Sequence, residues 1–130
     1  MEYMITLHSP EGLAPTPDSP DFGAFMGEWM AYNQKLIDGG HWISAANLQP
    51  SLTATTIRRS PGGSDAITDG PFAETKEQFG GYYLISAANL DEALVLAAAI
   101  PLPVGSIEVR PVAYRPTADP DAAVPETAAS

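Results

Sequence analysis

The chain has 130 residues, no cysteine, and six Lys plus Arg against sixteen Asp plus Glu, for a net charge of −10. That length suits one domain with a core of its own, and the lack of cysteine excludes disulfides, a thiolate nucleophile and cysteine-held metal. The acidic balance disfavours direct binding to phosphate backbones.

The carboxylates are scattered rather than blocked, which reads as a solubilising surface, with docking onto a basic partner as the alternative. The opening MEYMITLHSP carries neither a basic leader nor a long apolar run, so a signal peptide is not expected. No window approaches the ~18 apolar residues of a membrane span. A cytoplasmic protein without membrane contact is the resulting expectation.

Glu2 to His8, EYMITLH, alternates as a strand with Tyr3, Ile5 and Leu7 on one face. The prolines and Gly12 of SPEGLAPTPDSP make a loop. Ser19 then suits an N-cap with Pro20 at the first helical position, where the missing N–H costs nothing. Phe22, Phe25, Met26, Trp29, Leu36 and Ile37 recur at helical spacing, which predicts an amphipathic helix over 20–38, ended by DGG at 38–40. Met26 and Trp29 are read as packing against a sheet rather than as a cofactor face. HWISAANL, 41–48, is the second strand. SLTATTIRR, 51–59, and AITDG form a hairpin around SPGGSD.

AETKEQ is expected to make one helical turn before the strand GGYYLIS, 80–86. Asn89 with Glu92 three residues on forms a capping box for a helix running to Ile100. GSIEVRPVAY, 105–114, is the last strand. The remainder, 115–130, is Pro/Ala-rich and too poor in apolar residues to order itself, so it is expected to be a flexible tail. The domain proper is 1–114.

The order β-α-β, hairpin, β-α-β predicts an α+β ferredoxin-like sandwich, an antiparallel sheet with two helices on one face. Tyr82 and Leu84 fall on one side of their strand, Tyr83 and Ile85 on the other. A strand apolar on both sides needs cover beyond two helices, and a homodimer packed face to face supplies it.

The stretch TDGPFAETKEQFGGYYLI, Thr68 to Ile85, holds the candidate site. Gly70 before Pro71 sets a turn, and Asp69 is expected to accept backbone N–H bonds there. Gly80-Gly81 at a strand start indicates a bulge or a close backbone approach, by a ligand or by another chain. In the expected topology His8 ends the first strand near where the DGPF loop feeds the third, so His8 and Asp69 are candidates for an acid/base pair. His41 falls at the opposite end of the sheet. Phe72 and Tyr82 are expected as apolar walls and Gly70 and Pro71 as the lip of a small-molecule pocket. The alternative is a surface histidine and a turn aspartate with no joint role. Phosphate-loop, dinucleotide and zinc signatures are absent from the sequence, so no cofactor or metal is expected.

The same stretch resembles the YCII-related proteins, specifically the group named for its DGPF motif. The likeness extends from EYMITLH through LQPSLTATTIRR and NLDEALVLAAAIP to GSIEVRPV. It implies a dimeric α+β barrel built on a ferredoxin-like protomer. It also implies a proposed His–Asp site whose histidine lies in the first helix, but residues 20–38 hold no histidine and that dyad does not carry over. Proteins of the group often accompany extracytoplasmic-function sigma factors. Two functions follow: a dimeric small-molecule binder with acid/base chemistry near the DGPF loop, or a non-catalytic accessory regulator docking on a sigma factor.

Overall fold

The computed structural model describes residues 1–119 and 121, so most of the tail expected at 115–130 lies outside the described residues. Six strands and two helices follow in order: β1 (Glu2–Ser9), α1 (Phe22–Asp38), β2 (Trp42–Asn47), β3 (Thr55–Arg58), β4 (Ala66–Asp69), β5 (Gln78–Ser86), α2 (Leu90–Ala98) and β6 (Ser106–Pro111). A four-stranded antiparallel sheet of order β2-β5-β1-β6 carries both helices on one face, and β3–β4 form a separate hairpin. This mixed α+β arrangement is compatible with the expected ferredoxin-like fold. β1 and β2 each flank β5 antiparallel, so they run parallel to one another.

The core follows from the alternation in β1. Tyr3, Ile5 and Leu7 are buried toward the helices while Met4, Thr6 and His8 face the other way. Tyr83 and Ile85 of β5 join the buried set, with Leu36 of α1 and Ala93 and Ala97 of α2 above them. Tyr3, Ile5, Leu36 and Ile85 are the largest fully buried side chains, each worth about 1.5–3 kcal/mol against exposure. Tyr32 ties the helices together: its hydroxyl donates to the Leu96 carbonyl at 2.7 Å, and its ring meets Tyr83 edge-on at 5.4 Å.

Local sequence rules account for most boundaries. Asn89 caps α2 as expected by accepting the Glu92 N–H at 2.9 Å, while the Glu92 carboxylate accepts the N–H of Ala88, one residue before the cap, rather than that of Asn89. Helix α1 begins two residues later than Pro20. Ser19 Oγ accepts the Asp21 N–H in a preceding turn instead of capping the helix, whose first residue is Phe22. AETKEQ forms bends rather than a helical turn; its backbone is tied by Gln78, which donates to the Ala73 and Thr75 carbonyls. SLT, 51–53, winds into a short 3-10 turn, so β3 begins only at Thr55. Arg115, first residue of the expected tail, makes a two-pronged contact with Glu2 at 2.8 and 3.0 Å.

The Gly80-Gly81 pair resolves into two different roles. Leu7 pairs with Gly81 but His8 pairs with Phe79, so Gly80 is the extra residue of a bulge. Gly81 lies beneath β2: a Cβ there would meet the Ala46 carbonyl oxygen at 2.7 Å, whereas one on Gly80 meets nothing. Gly81→Ala should therefore destabilise the fold by about 1–3 kcal/mol, the usual cost of overpacking, and Gly80→Ala should change little. Urea unfolding of the two variants checks this; equal stabilities would remove the close approach of β2.

The Glu2–Arg115 contact has a pH signature. The Arg115 guanidinium holds the Glu2 carboxyl below the ordinary glutamate range. A lowered folded pKa adds stability that is complete above the ordinary value and lost as pH falls through the lowered one. The pair is solvent-exposed, so the energy is small. Arg115→Ala should move the Glu2 carboxyl titration upward in NMR; an unmoved titration would show that the contact does not form in solution.

Candidate functional site

The DGPF turn is wired to its own hairpin. Gly70 holds φ +97°, a left-handed angle that disfavours side chains. Its N–H donates to the Ala54 carbonyl and its carbonyl accepts the Thr56 hydroxyl, both at 2.7 Å. Arg58 donates to the Phe72 carbonyl at 2.7 Å. Asp69 is exposed, and among the described residues its carboxylate accepts no hydrogen bond, so the expected Asp69 side-chain turn does not form. The turn is held by backbone carbonyls and by Thr56 and Arg58 instead.

His8 and Asp69 are not brought into hydrogen-bond contact. His8 Nε2 lies 2.9 Å from Thr6 Oγ1 and its ring sits 5.7 Å from Phe79, both on the sheet face turned away from the helices. Phe72 is 76% exposed. His41 stands at the far end of the sheet, its Nδ1 2.8 Å from the Ser86 carbonyl. Of His8, Asp69, Gly70, Pro71, Phe72 and Tyr82, only Tyr82 borders the cavity described next, as do Gly80 and Gly81; the Tyr82 hydroxyl pairs with Ser44 at 2.8 Å.

A cavity of about 700 Å³ opens between the N-terminal half of α1 and the sheet. Its origin is a packing mismatch. Only Tyr32 and Leu36 of α1 are buried, both in its second half. Below the first half, the row Leu7, Gly81 and Asn47 crosses the sheet with no side chain at its centre. Ala45, in the adjoining row beside Tyr83, is too small to fill the gap. The helix supplies Phe25, Met26, Trp29 and Asn33, and the loops carrying Leu13 and Val104 form an exposed rim.

The lining is aromatic and uncharged. Both tryptophans of the chain, Trp29 and Trp42, are in the wall, and no charged side chain lines it. Trp42 meets the Tyr83 ring edge-on at 6.1 Å, and the Phe25 and Trp29 rings meet at a tilt with centroids 6.2 Å apart. The Tyr83 hydroxyl donates to Asn33 Oδ1 at 2.5 Å. Burial pushes the Tyr83 phenol up to about 12, so it keeps its proton and remains the donor. Burial and the neighbouring Tyr83 push Tyr32 higher still. Trp29 Nε1 is, among the described residues, the one buried side-chain polar atom without a partner.

The cavity lies on the face of the sheet opposite His8. Of the two residues expected to pack on the sheet, Trp29 does pack against the core while also bordering the cavity, and Met26 is exposed at the cavity's edge. The available signal was Asn33, a polar residue four positions after Trp29 on an otherwise apolar stripe.

These features define a small α+β protein with a ligand-sized aromatic cavity between helix and sheet. The YCII-related domain model matches residues 1–114, and the chain belongs to the YCII-related family. An uncharacterized protein of Rhizobium meliloti (strain 1021) is 38% identical over 120 residues, spanning 89% of this chain and 96% of that one. No helix among the described residues is long and apolar enough to cross a membrane.

Proposed function

We propose that this protein binds a small molecule in the cavity beneath α1 and works as a homodimer joined through the opposite face of its sheet. The observation that carries the binding reading is the cavity itself. At about 700 Å³ with an apolar, aromatic wall, it falls in the range of ligand pockets, roughly 300–1,000 Å³. Acid/base chemistry by His8 is not part of this reading, because His8 has no carboxylate partner among the described residues and lies on the other side of the sheet from α1.

The dimer reading rests on the face opposite the helices. Met4, Leu84 and Tyr82 form an apolar centre, flanked on β6 by Glu108 and Arg110. Met4 and Tyr82 are half-buried and Leu84 buried, while Leu52, Ile67 and Phe72, around the hairpin, are exposed. A sheet face with an apolar middle and a charged border has the composition of a subunit contact, and a two-fold interface can use the same face on both copies. Pairing of two such sheets would give the α/β barrel that the sequence led us to expect.

Because both tryptophans line the cavity, intrinsic fluorescence reports on it directly. Titration with the neutral dye N-phenylnaphthylamine should quench or shift that emission with saturable binding. Ala45→Phe, which fills the gap, should weaken binding by about tenfold or more. Absence of saturable binding by the parent chain would overturn the reading.

Sedimentation of the parent should give twice the chain mass of 13.7 kDa. Met4→Lys should shift it toward monomer by placing a charge in the middle of the outward face. A parent that sediments as a monomer at all concentrations would refute the dimer.

A further inference from the structure

We infer that the ligand of this cavity is an uncharged, largely aromatic or alicyclic molecule carrying a carbonyl-type acceptor, and that Asn33 receives that acceptor. The inference rests on the binding reading above and narrows it to a chemical class.

Charge is settled by the wall. No charged residue borders the cavity: the polar side chains on its side of the sheet are Ser9, Asn33, Asn47 and Tyr83, while the Tyr82 hydroxyl pairs with Ser44 on the other face. Tyr83 stays neutral because burial raises its pKa. An ionised ligand entering such a site loses its hydration without gaining a counter-charge, which is strongly unfavourable. The protein's net charge of −10 adds a further bias against anions. A cation would find aromatic faces but no carboxylate in the wall.

The acceptor is assigned by hydrogen-bond accounting. A carboxamide has one acceptor oxygen and two donor hydrogens. In Asn33 the oxygen is engaged by the Tyr83 hydroxyl, which fixes the amide orientation. Its Nδ2 makes no hydrogen bond among the described residues, and the side chain borders the cavity. The group therefore presents two free donor hydrogens, while one lone pair of its oxygen is already taken by Tyr83. One helical turn earlier, Trp29 Nε1 is a second donor without a partner. It is shielded in the empty chain, and a turn of the indole toward the cavity would let it reach the same acceptor. A buried donor left unpaired is costly, so a ligand that pairs it is favoured over one that does not. Tyr83 acts here as a positioning residue, through Asn33.

Three probes of one shape separate the possibilities: methyl naphthyl ketone, ethylnaphthalene and naphthoate, each used to displace N-phenylnaphthylamine from the full-length protein. The ketone should compete at roughly 3- to 10-fold lower concentration than the hydrocarbon, one hydrogen bond's worth, and naphthoate should be the weakest. Asn33→Leu should bring the ketone to the hydrocarbon's level while leaving the hydrocarbon unchanged. The Trp29 indole N–H resonance, identified by its loss in Trp29→Phe, should move downfield with the ketone relative to its position with ethylnaphthalene bound. Equal competition by ketone and hydrocarbon in the parent chain would overturn the acceptor assignment while dye binding upholds the cavity. Tightest binding by naphthoate would overturn the uncharged class. Failure of the dye itself to bind would overturn the underlying reading instead. The parent-chain comparison needs no variant to fold.

Discussion

The contact on which the open end of this molecule depends is the approach of the Ala46 carbonyl to Gly81. With the oxygen 2.7 Å from where a Cβ would stand, β2 can close onto β5 only because position 81 has no side chain. Two results follow from the one absence. The edge strand stays in register to Asn47, and the helix-facing row Leu7–Gly81–Asn47 is left hollow in the middle. A larger residue there would close the hollow and push the edge strand away together. Fold and cavity are thus coupled through a single backbone position.

The sheet also divides the chemistry of the chain. Its helix-facing side holds the core at one end and the aromatic cavity at the other. Its outward side holds His8, Thr6 and the Ser44–Tyr82 hydroxyl pair around Met4 and Leu84. Strand periodicity enforces this, since neighbours in β1 and β5 point to opposite faces. His8 and Leu7 are adjacent in sequence, yet one faces outward and the other borders the cavity. Proximity along the chain was a poor guide to which residues share a site.

Much of the fold was legible because local rules agreed with one another. The alternation in EYMITLH, the Asn89–Glu92 cap, the hairpin before the DGPF turn and the Gly-Gly bulge all appear where their residues place them. The strand fed by the DGPF loop, β5, lies beside β1 as the expected topology places it. What could not be read was the packing. Periodicity shows that Phe25, Met26 and Trp29 share a face but not whether the sheet below fills it. That depends on Gly81 and Ala45, more than forty and about twenty residues away from the first half of the helix, meeting in space. The Asp69 turn failed for a related reason. A carboxylate suits an Asx turn, but here Thr56 and Arg58 reached the loop carbonyls and the hairpin supplied the backbone bond.

The division of α1 into a packed half and an unpacked half bears on how such a protein can change over time. Tyr32 and Leu36 carry the helix's share of the core, locked to α2 through the Leu96 carbonyl. Phe25 and Met26, with the loop residues Leu13 and Val104, lie outside that core, whereas Trp29 packs against it. Substitutions in this second group can reshape the cavity without drawing on the contacts that fold the chain. The stability–function conflict common to binding sites built inside a core is relaxed here. One scaffold could then diversify its ligand preference by drift at one end, with its packed core left untouched at the other.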